Sequence, residues 1–166
     1  EPEITSIKAS VDNSVLIKWG AVEGATKYNI YRESPFEDYK LIGTTTKTNF
    51  YDTTEKDSNY FYSYYVVAAN EDGEGASGNN IKTFLFMKAP ELVSVKWDDG
   101  NIVKWKRVPG ATSYKIYRRT PSGDYKVIAE VTDVLSYKDK AAKKSSKYYY
   151  TVAAMNGRYQ GAYENG

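Results

Sequence analysis

Large apolar and polar side chains alternate along most of this chain. Val15-x-Ile17-x-Trp19 and Val103-x-Trp105 each place their apolar members on one face of an extended segment. Tyr28-x-Ile30 and Tyr114-x-Ile116 repeat the pattern after Gly24-Ala25 and Gly110-Ala111. Return strands follow at Tyr39-Lys40-Leu41-Ile42 and Tyr125-Lys126-Val127-Ile128. Ser34-Pro35 punctuates one hairpin and Thr120-Pro121-Ser122-Gly123-Asp124 the other. Proline presets φ and glycine accepts positive φ, so both are turn residues for a physical reason. Short strands are predicted around Phe50-Tyr51 and Ser136-Tyr137. The longest are the tyrosine-rich segments ending at Asn70 and Asn156. Period-two patterns dominate and helical ones are scarce, so the fold class is all-β.

The alternation occurs twice, 86 residues apart. Trp19 to Arg32 returns as Trp105 to Arg118, and Tyr62-x-Tyr64-x-Val66-x-Ala68-x-Asn70 returns as Tyr148-x-Tyr150-x-Val152-x-Ala154-x-Asn156. Two domains are expected, at residues 1–88 and 89–166. Each offers about seven short strands with frequent turn signals, the mark of an antiparallel β-sandwich. The join at Met87-Lys88-Ala89-Pro90 is short and contains a proline, which leaves little slack. Trp19, Trp105, Tyr28, Tyr114, Tyr62 and Tyr148 are the predicted structural core.

At these residues the chain resembles a tandem of fibronectin type III domains, of the kind found in bacterial extracellular multidomain proteins. The carriers are Trp19 and Trp105, the Gly-Ala-x-x-Tyr-x-Ile-Tyr-Arg segments from Gly24 and Gly110, and the Tyr-x-Tyr-x-Val-x-Ala-x-Asn segments. The resemblance implies two seven-stranded immunoglobulin-like sandwiches. It also makes Tyr62 and Tyr148 tyrosine-corner residues, whose hydroxyls bond back to the chain. Arg32 and Arg118 depart from the family pattern and are expected to make the outer surface of the middle strand more polar. In the first copy sixteen residues follow Asn70 up to Phe86, whereas ten follow Asn156. The last strand of the second copy is therefore expected to be incomplete or absent, and the chain to be a fragment of a longer protein.

Composition narrows the chemistry. The chain has neither cysteine nor histidine, so disulfides, thiolate metal sites and histidine general bases are excluded. Carboxylate-only and Ser–Lys chemistry stay open on composition, but no phosphate loop, nucleophile elbow or metal-ligand spacing appears. No catalytic residue, cofactor or metal is expected, and the chain is not read as an enzyme. Residues 1–88 hold 9 Lys+Arg against 13 Asp+Glu, a balance of −4, while the rest hold 14 against 8, a balance of +6. Lys138, Lys140, Lys143, Lys144 and Lys147 carry part of that surplus. They read either as a solvated face or as a contact for an anionic polymer. The net charge of +2 argues against nucleic acid as the main partner. No run reaches the length of a membrane span, no basic-then-apolar leader pattern opens the chain, and Glu1-Pro2-Glu3 reads as a domain edge of the kind left when numbering begins after a removed leader.

The candidate ligand residues are aromatic. Tyr65 and Val67 alternate with the core positions of their strand, and Tyr31 with those of the neighbouring one. Tyr31 and Tyr65 should therefore lie side by side on an outer sheet face, repeated as Tyr117 and Tyr149. Such pairs either stack on sugar rings or stabilise the sheet with no ligand at all. Trp97, aligned with Val11 in the first copy, precedes the turn Asp98-Asp99-Gly100 and is either a surface anchor or a cap over a core edge. The acidic loop Asn70-Glu71-Asp72-Gly73-Glu74-Gly75 reads as a solvated turn, with weak calcium binding as its alternative.

The expected function is a non-catalytic spacer or interaction module of a larger secreted or cell-surface protein of a Gram-positive bacterium. The alternative is a carbohydrate- or wall-binding module using the tyrosines or the basic second half. Other domains of the same polypeptide, or a protein or polysaccharide ligand, are the expected partners. The chain itself is expected to be monomeric.

Overall fold

Strand pairing follows the alternation. The computed structural model describes residues 1–76 and 80–164. It divides into two units, one taking in Glu1–Ala9 and Asn13–Phe86, the other Ser10–Asp12 and the residues from Met87 onward. In the first unit the strands are β1 (Ile4–Ala9), β2 (Val15–Trp19), β3 (Lys27–Ser34), β4 (Glu37–Thr45), β5 (Asn49–Asp52), β6 (Tyr60–Asn70), β7 (Gly73–Glu74) and β8 (Lys82–Phe86). One antiparallel sheet runs β1-β2-β5. The other runs β4-β3-β6, with β7 and β8 both added to the far edge of β6. The second unit has β9 (Leu92–Trp97), β10 (Asn101–Trp105), β11 (Ser113–Arg119), β12 (Lys126–Val131), β13 (Ser136–Asp139), β14 (Tyr149–Asn156) and β15 (Tyr159–Gln160). Its sheets run β13-β10-β9 and β12-β11-β14-β15.

β15 is the counterpart of β7, since Asn156 faces Tyr159 as Asn70 faces Gly73. Among the described residues the second unit forms no strand equivalent to β8.

The repeated motif has a local cause. Trp19 packs edge-on against Tyr28 at 5.5 Å, and Trp105 packs at a tilt against Tyr114 at 5.4 Å. The Val22 N–H donates to the Tyr28 hydroxyl at 3.0 Å, and the Val108 N–H to that of Tyr114 at 2.9 Å. Between them Gly24 and Gly110 both sit at φ 77°, which L side chains adopt only with strain. The motif thus closes the bend between the two sheets. Trp19, Trp105, Tyr28 and Tyr114 are all buried.

A buried ionic cluster ties the two sheets of each unit together. Arg32, on β3, shares the inward parity of Tyr28 and Ile30 and is buried. Its guanidinium meets the Asp52 carboxylate on β5 at 2.9 Å, and the Tyr64 hydroxyl on β6 donates to the same oxygen at 2.7 Å. Lys56 lies 3.4 Å from that oxygen with its ammonium fully buried, donating also to the carbonyls of Asp52 at 3.0 Å and Thr54 at 2.6 Å. The second unit repeats the core of this cluster. Arg118 and the Tyr150 hydroxyl each lie 2.8 Å from Asp139, and Asn101 donates to that hydroxyl at 2.9 Å. The expected polar outer surface at Arg32 and Arg118 is therefore corrected. Residues two apart in a strand share a face, and this face is the core.

Burial raises the Asp52 pKa, but hydrogen bonds from Thr54 and Tyr64, with the charges of Lys56 and Arg32, outweigh it and hold the carboxyl below its ordinary 3.8. Burial, helped by Asp52, pushes the Tyr64 phenol far up, and burial pushes Tyr150 up to about 12.

Asp52→Ala would leave buried Arg32 and Lys56 uncompensated and is expected to cost the first unit about 3–5 kcal/mol in denaturant unfolding. The Arg118 side chain is 25% exposed, so water replaces part of what Asp139→Ala removes, for a loss of about 1–3 kcal/mol. Equal losses would contradict the difference in burial. The pH dependence follows from the same cluster. Asp52 stabilises the fold fully above pH 3.8, and that contribution is lost as pH falls through its lowered folded value. Tyr150, raised from 10.0 to about 12, contributes fully below pH 10.0 and loses its contribution as pH rises through about 12. Melting temperature against pH should show both limbs, the alkaline one flattened in Tyr150→Phe.

Candidate functional site

The aromatic candidates lie on the outer face of the larger sheet in each unit. In the first, β3 and β6 pair Tyr31 directly with Tyr65, and their rings stack at 4.8 Å and 8°. Tyr39 of β4 packs edge-on against Tyr65 at 4.9 Å. The Tyr31 hydroxyl donates to Glu74 at 2.9 Å, and Glu74 also takes a hydrogen bond from Asn29. Burial first, then the Glu74 bond and charge, raises the pKa of Tyr31, and burial followed by Glu74 raises that of Tyr65. Val67, on the same outer face, is closed off at 2% exposure. Glu74, read from sequence as part of a solvated acidic loop, thus spends its carboxylate on the sheet. Among the described residues no group of three or more acidic side chains is arranged to hold a metal ion.

The second unit departs from the expected repeat. Tyr117 pairs with Thr151, while Tyr149 pairs with Arg119, so Tyr117 and Tyr149 are not side by side. The error is one of register: the counterpart of Tyr65 is Thr151, and a shift of two along a strand keeps the face but changes the neighbour. The ring that stacks on Tyr117 is Tyr163, at 4.1 Å and 9°. The Tyr117 hydroxyl donates to Gln160 at 3.2 Å, just as that of Tyr31 donates to Glu74. Tyr117 is 6% exposed and offers no open ring face. Tyr149 instead lies beneath the Arg119 guanidinium at 4.3 Å and the Lys147 ammonium at 5.1 Å, and Lys147 lowers its pKa. Arg119 also covers Tyr125 at 5.2 Å.

Two further candidates are relocated. Trp97 pairs with Asn101 as Ala9 pairs with Val15, so its structural counterpart is Ala9 and not Val11. The turn after β9 is two residues shorter than the one after β1, a difference invisible to a fixed-period alignment. Trp97 is 39% exposed. Tyr62 is buried, and its hydroxyl accepts the Asp57 N–H at 2.9 Å, a bond back to the chain of the tyrosine-corner kind. Tyr148, expected in the core, is half-buried, with Arg118 5.0 Å over its ring. In the first unit Phe86 of β8 packs against Tyr62 at 6.1 Å, and that cover has no counterpart among the described residues of the second. Of the basic residues, Lys138 bonds Asp98 at 3.3 Å, while Lys140, Lys143 and Lys144 are exposed.

A site not picked out from the sequence lies at the hairpin end of the first unit. Phe36 is 69% exposed and packs edge-on against Tyr60 at 5.3 Å, with Phe61 exposed nearby. Glu33, Glu37 and Asp38 border the open groove these rings line. The signal was an apolar residue directly after Ser34-Pro35, a place where hairpins normally carry polar residues.

In each unit a sheet of the first, second and fifth strands opposes one built on the fourth, third and sixth, joined by the Trp–Tyr bend and the buried Asp. Both units are fibronectin type III-like sandwiches. A family model described as the C-terminal domain of GH85 endohexosaminidases matches residues 3–84. Among solved structures, the FN1–FN3 domains of chicken CNTN1 are 17% identical at a TM-score of 0.47, over 98% of this chain. The match covers 64% of that chain, so the present chain spans less than two thirds of its length. A two-domain fibronectin type III segment from chicken tenascin is 15% identical at a TM-score of 0.43, covering 100% of this chain and 95% of that one. The protein FN3tt is 26% identical at a TM-score of 0.40, over 51% of this chain and 92% of its own. No curated protein matches the chain. No described helix is long and apolar enough to cross a membrane.

The two stacked pairs should be energetically alike despite their different origins. Tyr65→Ala and Tyr163→Ala are each expected to cost about 0.5–1.5 kcal/mol beyond the area they uncover, by denaturant unfolding. Tyr149→Ala removes cation–π contacts at the surface and is expected to cost less than either stack, by the same measurement.

Proposed function

We propose that the chain is a non-catalytic spacer and interaction module, with domains at residues 1–88 and 89–166, of a larger secreted or cell-surface bacterial protein. The observation that carries this reading is the use made of its chemically interesting side chains. The ion pairs Arg32–Asp52 and Arg118–Asp139 join sheets, and the rings of Tyr31, Tyr65, Tyr117 and Tyr163 turn their faces to one another. A parallel stack at these separations has one face of each ring already occupied, so it is a poor platform for a sugar. The similarity of residues 3–84 to a C-terminal domain of endohexosaminidases supports an accessory role beside a catalytic domain. Fold alone does not fix that role; the partners of the side chains do.

A second reading is favoured by the groove at Phe36, Tyr60 and Phe61. Exposed rings with carboxylates at their border suit the apolar faces and hydroxyls of a neutral saccharide. In this reading the glycan contact sits at the hairpin end and not on the tyrosine stack.

A panel of polysaccharides and N-acetylhexosamine-containing glycans separates the two. Retention on none of them is the result expected for a spacer. Retention that disappears in Phe36→Ala with Phe61→Ala, and survives Tyr31→Ala, would replace the spacer reading by the second. Retention that fades with salt alone would point to the exposed lysines of the second unit.

A further inference from the structure

We propose that the groove at the hairpin end of the first unit docks an extended segment of a partner protein in which arginine alternates with apolar residues. The inference rests on the interaction half of the proposed function and gives the groove a ligand other than a saccharide. Two tight pieces of backbone build the groove. Ser34 pairs with Glu37, so Pro35-Phe36 alone joins β3 to β4 and holds the Phe36 ring at the tip. Asn59, at φ 69°, turns the chain into β6, and its N–H donates to the Phe86 carbonyl at 2.8 Å. Tyr60 and Phe61 thus reach the groove from fixed backbone, and all three rings are exposed.

Acids surround the rings. Glu33, Glu37 and Asp38 line the groove, and among the described residues no lysine or arginine does. Phe36 and Glu37 also line an adjoining cleft, which Glu55 and Asp57 border. Of the cations close by, Lys40 pairs with Glu37, and the Arg32 guanidinium is buried against Asp52. Aromatic faces set among an excess of carboxylates favour a cation with an apolar body over a neutral or anionic ligand.

The sandwich itself requires none of these side chains. In the second unit the positions of Glu33, Tyr60 and Phe61 carry Arg119, Ser146 and Lys147, and the hairpin Thr120-Pro121-Ser122-Gly123-Asp124 holds no ring. That unit also shows what settles on rings at this corner of the sheet. Its own Arg119 lies over Tyr149 at 4.3 Å and over Tyr125 at 5.2 Å. In the first unit the position that would supply the guanidinium carries an acid, so the fitting guanidinium is a partner's. Arginine suits the groove better than lysine because one planar group stacks on a ring and forks to a carboxylate at once. Acids on both sides of Phe36 favour more than one positive charge, which alternate residues of an extended segment present on one face.

The probe is a blocked synthetic peptide alternating arginine with valine, titrated into the 166-residue protein and followed by amide chemical shifts. Shifts should fall within 33–38 and 59–63, and binding should weaken as salt rises. Replacing each arginine by citrulline, which keeps the shape and removes the charge, should abolish them. Glu33→Gln with Asp38→Asn should weaken binding by about tenfold, and so, separately, should Phe36→Ala. Unchanged Tyr31 and Tyr65 shifts in the free variants report that the sheet is intact. The proposal is overturned by the absence of shifts at peptide concentrations up to roughly millimolar. It is also overturned if the citrulline peptide binds equally, or if tetramethylammonium binds as tightly, which would make the groove a site for small cations. Raising protein concentration alone to the same effect would make a second copy the occupant and overturn it too. A neutral glycan that shifts these amides where the peptide does not overturns this proposal and upholds the saccharide reading, whereas failure of both leaves the spacer.

Discussion

The Arg–Asp–Tyr cluster is the contact on which each sandwich depends. Asp52 comes from the three-stranded sheet, Arg32 and Tyr64 from the sheet opposite, and one carboxylate oxygen receives both. Hydrophobic burial holds two sheets together but does not choose how they slide over one another. A buried charge with one acceptable set of partners does, because any other alignment strands it in a medium of low dielectric. The second unit keeps the same three residue types at Arg118, Asp139 and Tyr150, so the same alignment is selected twice.

Around that shared frame the units have diverged in what covers them. The first buries its cluster under β8, with Lys56 held over the Phe86 ring at 5.8 Å. In the second, Arg118 lies over the half-buried ring of Tyr148 and remains partly solvated. The outer faces show a complementary substitution. Where the first unit stacks Tyr65 from within β6, the second has Thr151 and recruits Tyr163 from beyond β15. The same stack is built from a different part of the chain, which separates the scaffold's need for that contact from any particular residue in the repeat.

Much of this was legible in the residues. Alternation located the strands because a side chain two positions on returns to the same face. The doubled Trp, Gly-Ala and Tyr motifs marked the bend whose bonds from Val22 and Val108 now explain them. Parity put Tyr31 and Tyr65 on one outer face, and the β3–β6 ladder made them neighbours. Parity was not applied to Arg32, which departs from the family pattern and was expected on the outer surface; it shares the face of Tyr28 and Ile30, and its partner Asp52 lies 20 residues away in sequence. Tyr117 with Tyr149 failed for the opposite reason: parity was respected, but face does not determine which residue is the neighbour.

What the residues determined by themselves was local: period-two strands, turns at glycine and proline, a duplicated bend, and the absence of histidine and cysteine chemistry. These depend on side-chain size, backbone freedom and spacing along one chain, all of which are written in order. The tertiary structure decided which strand lies beside which, and with it the partner of Arg32, the stacking of Tyr163 and the shortened turn that moves Trp97 to the place of Ala9. Those outcomes depend on contacts between residues distant in sequence, and only the assembled sheets bring them within range.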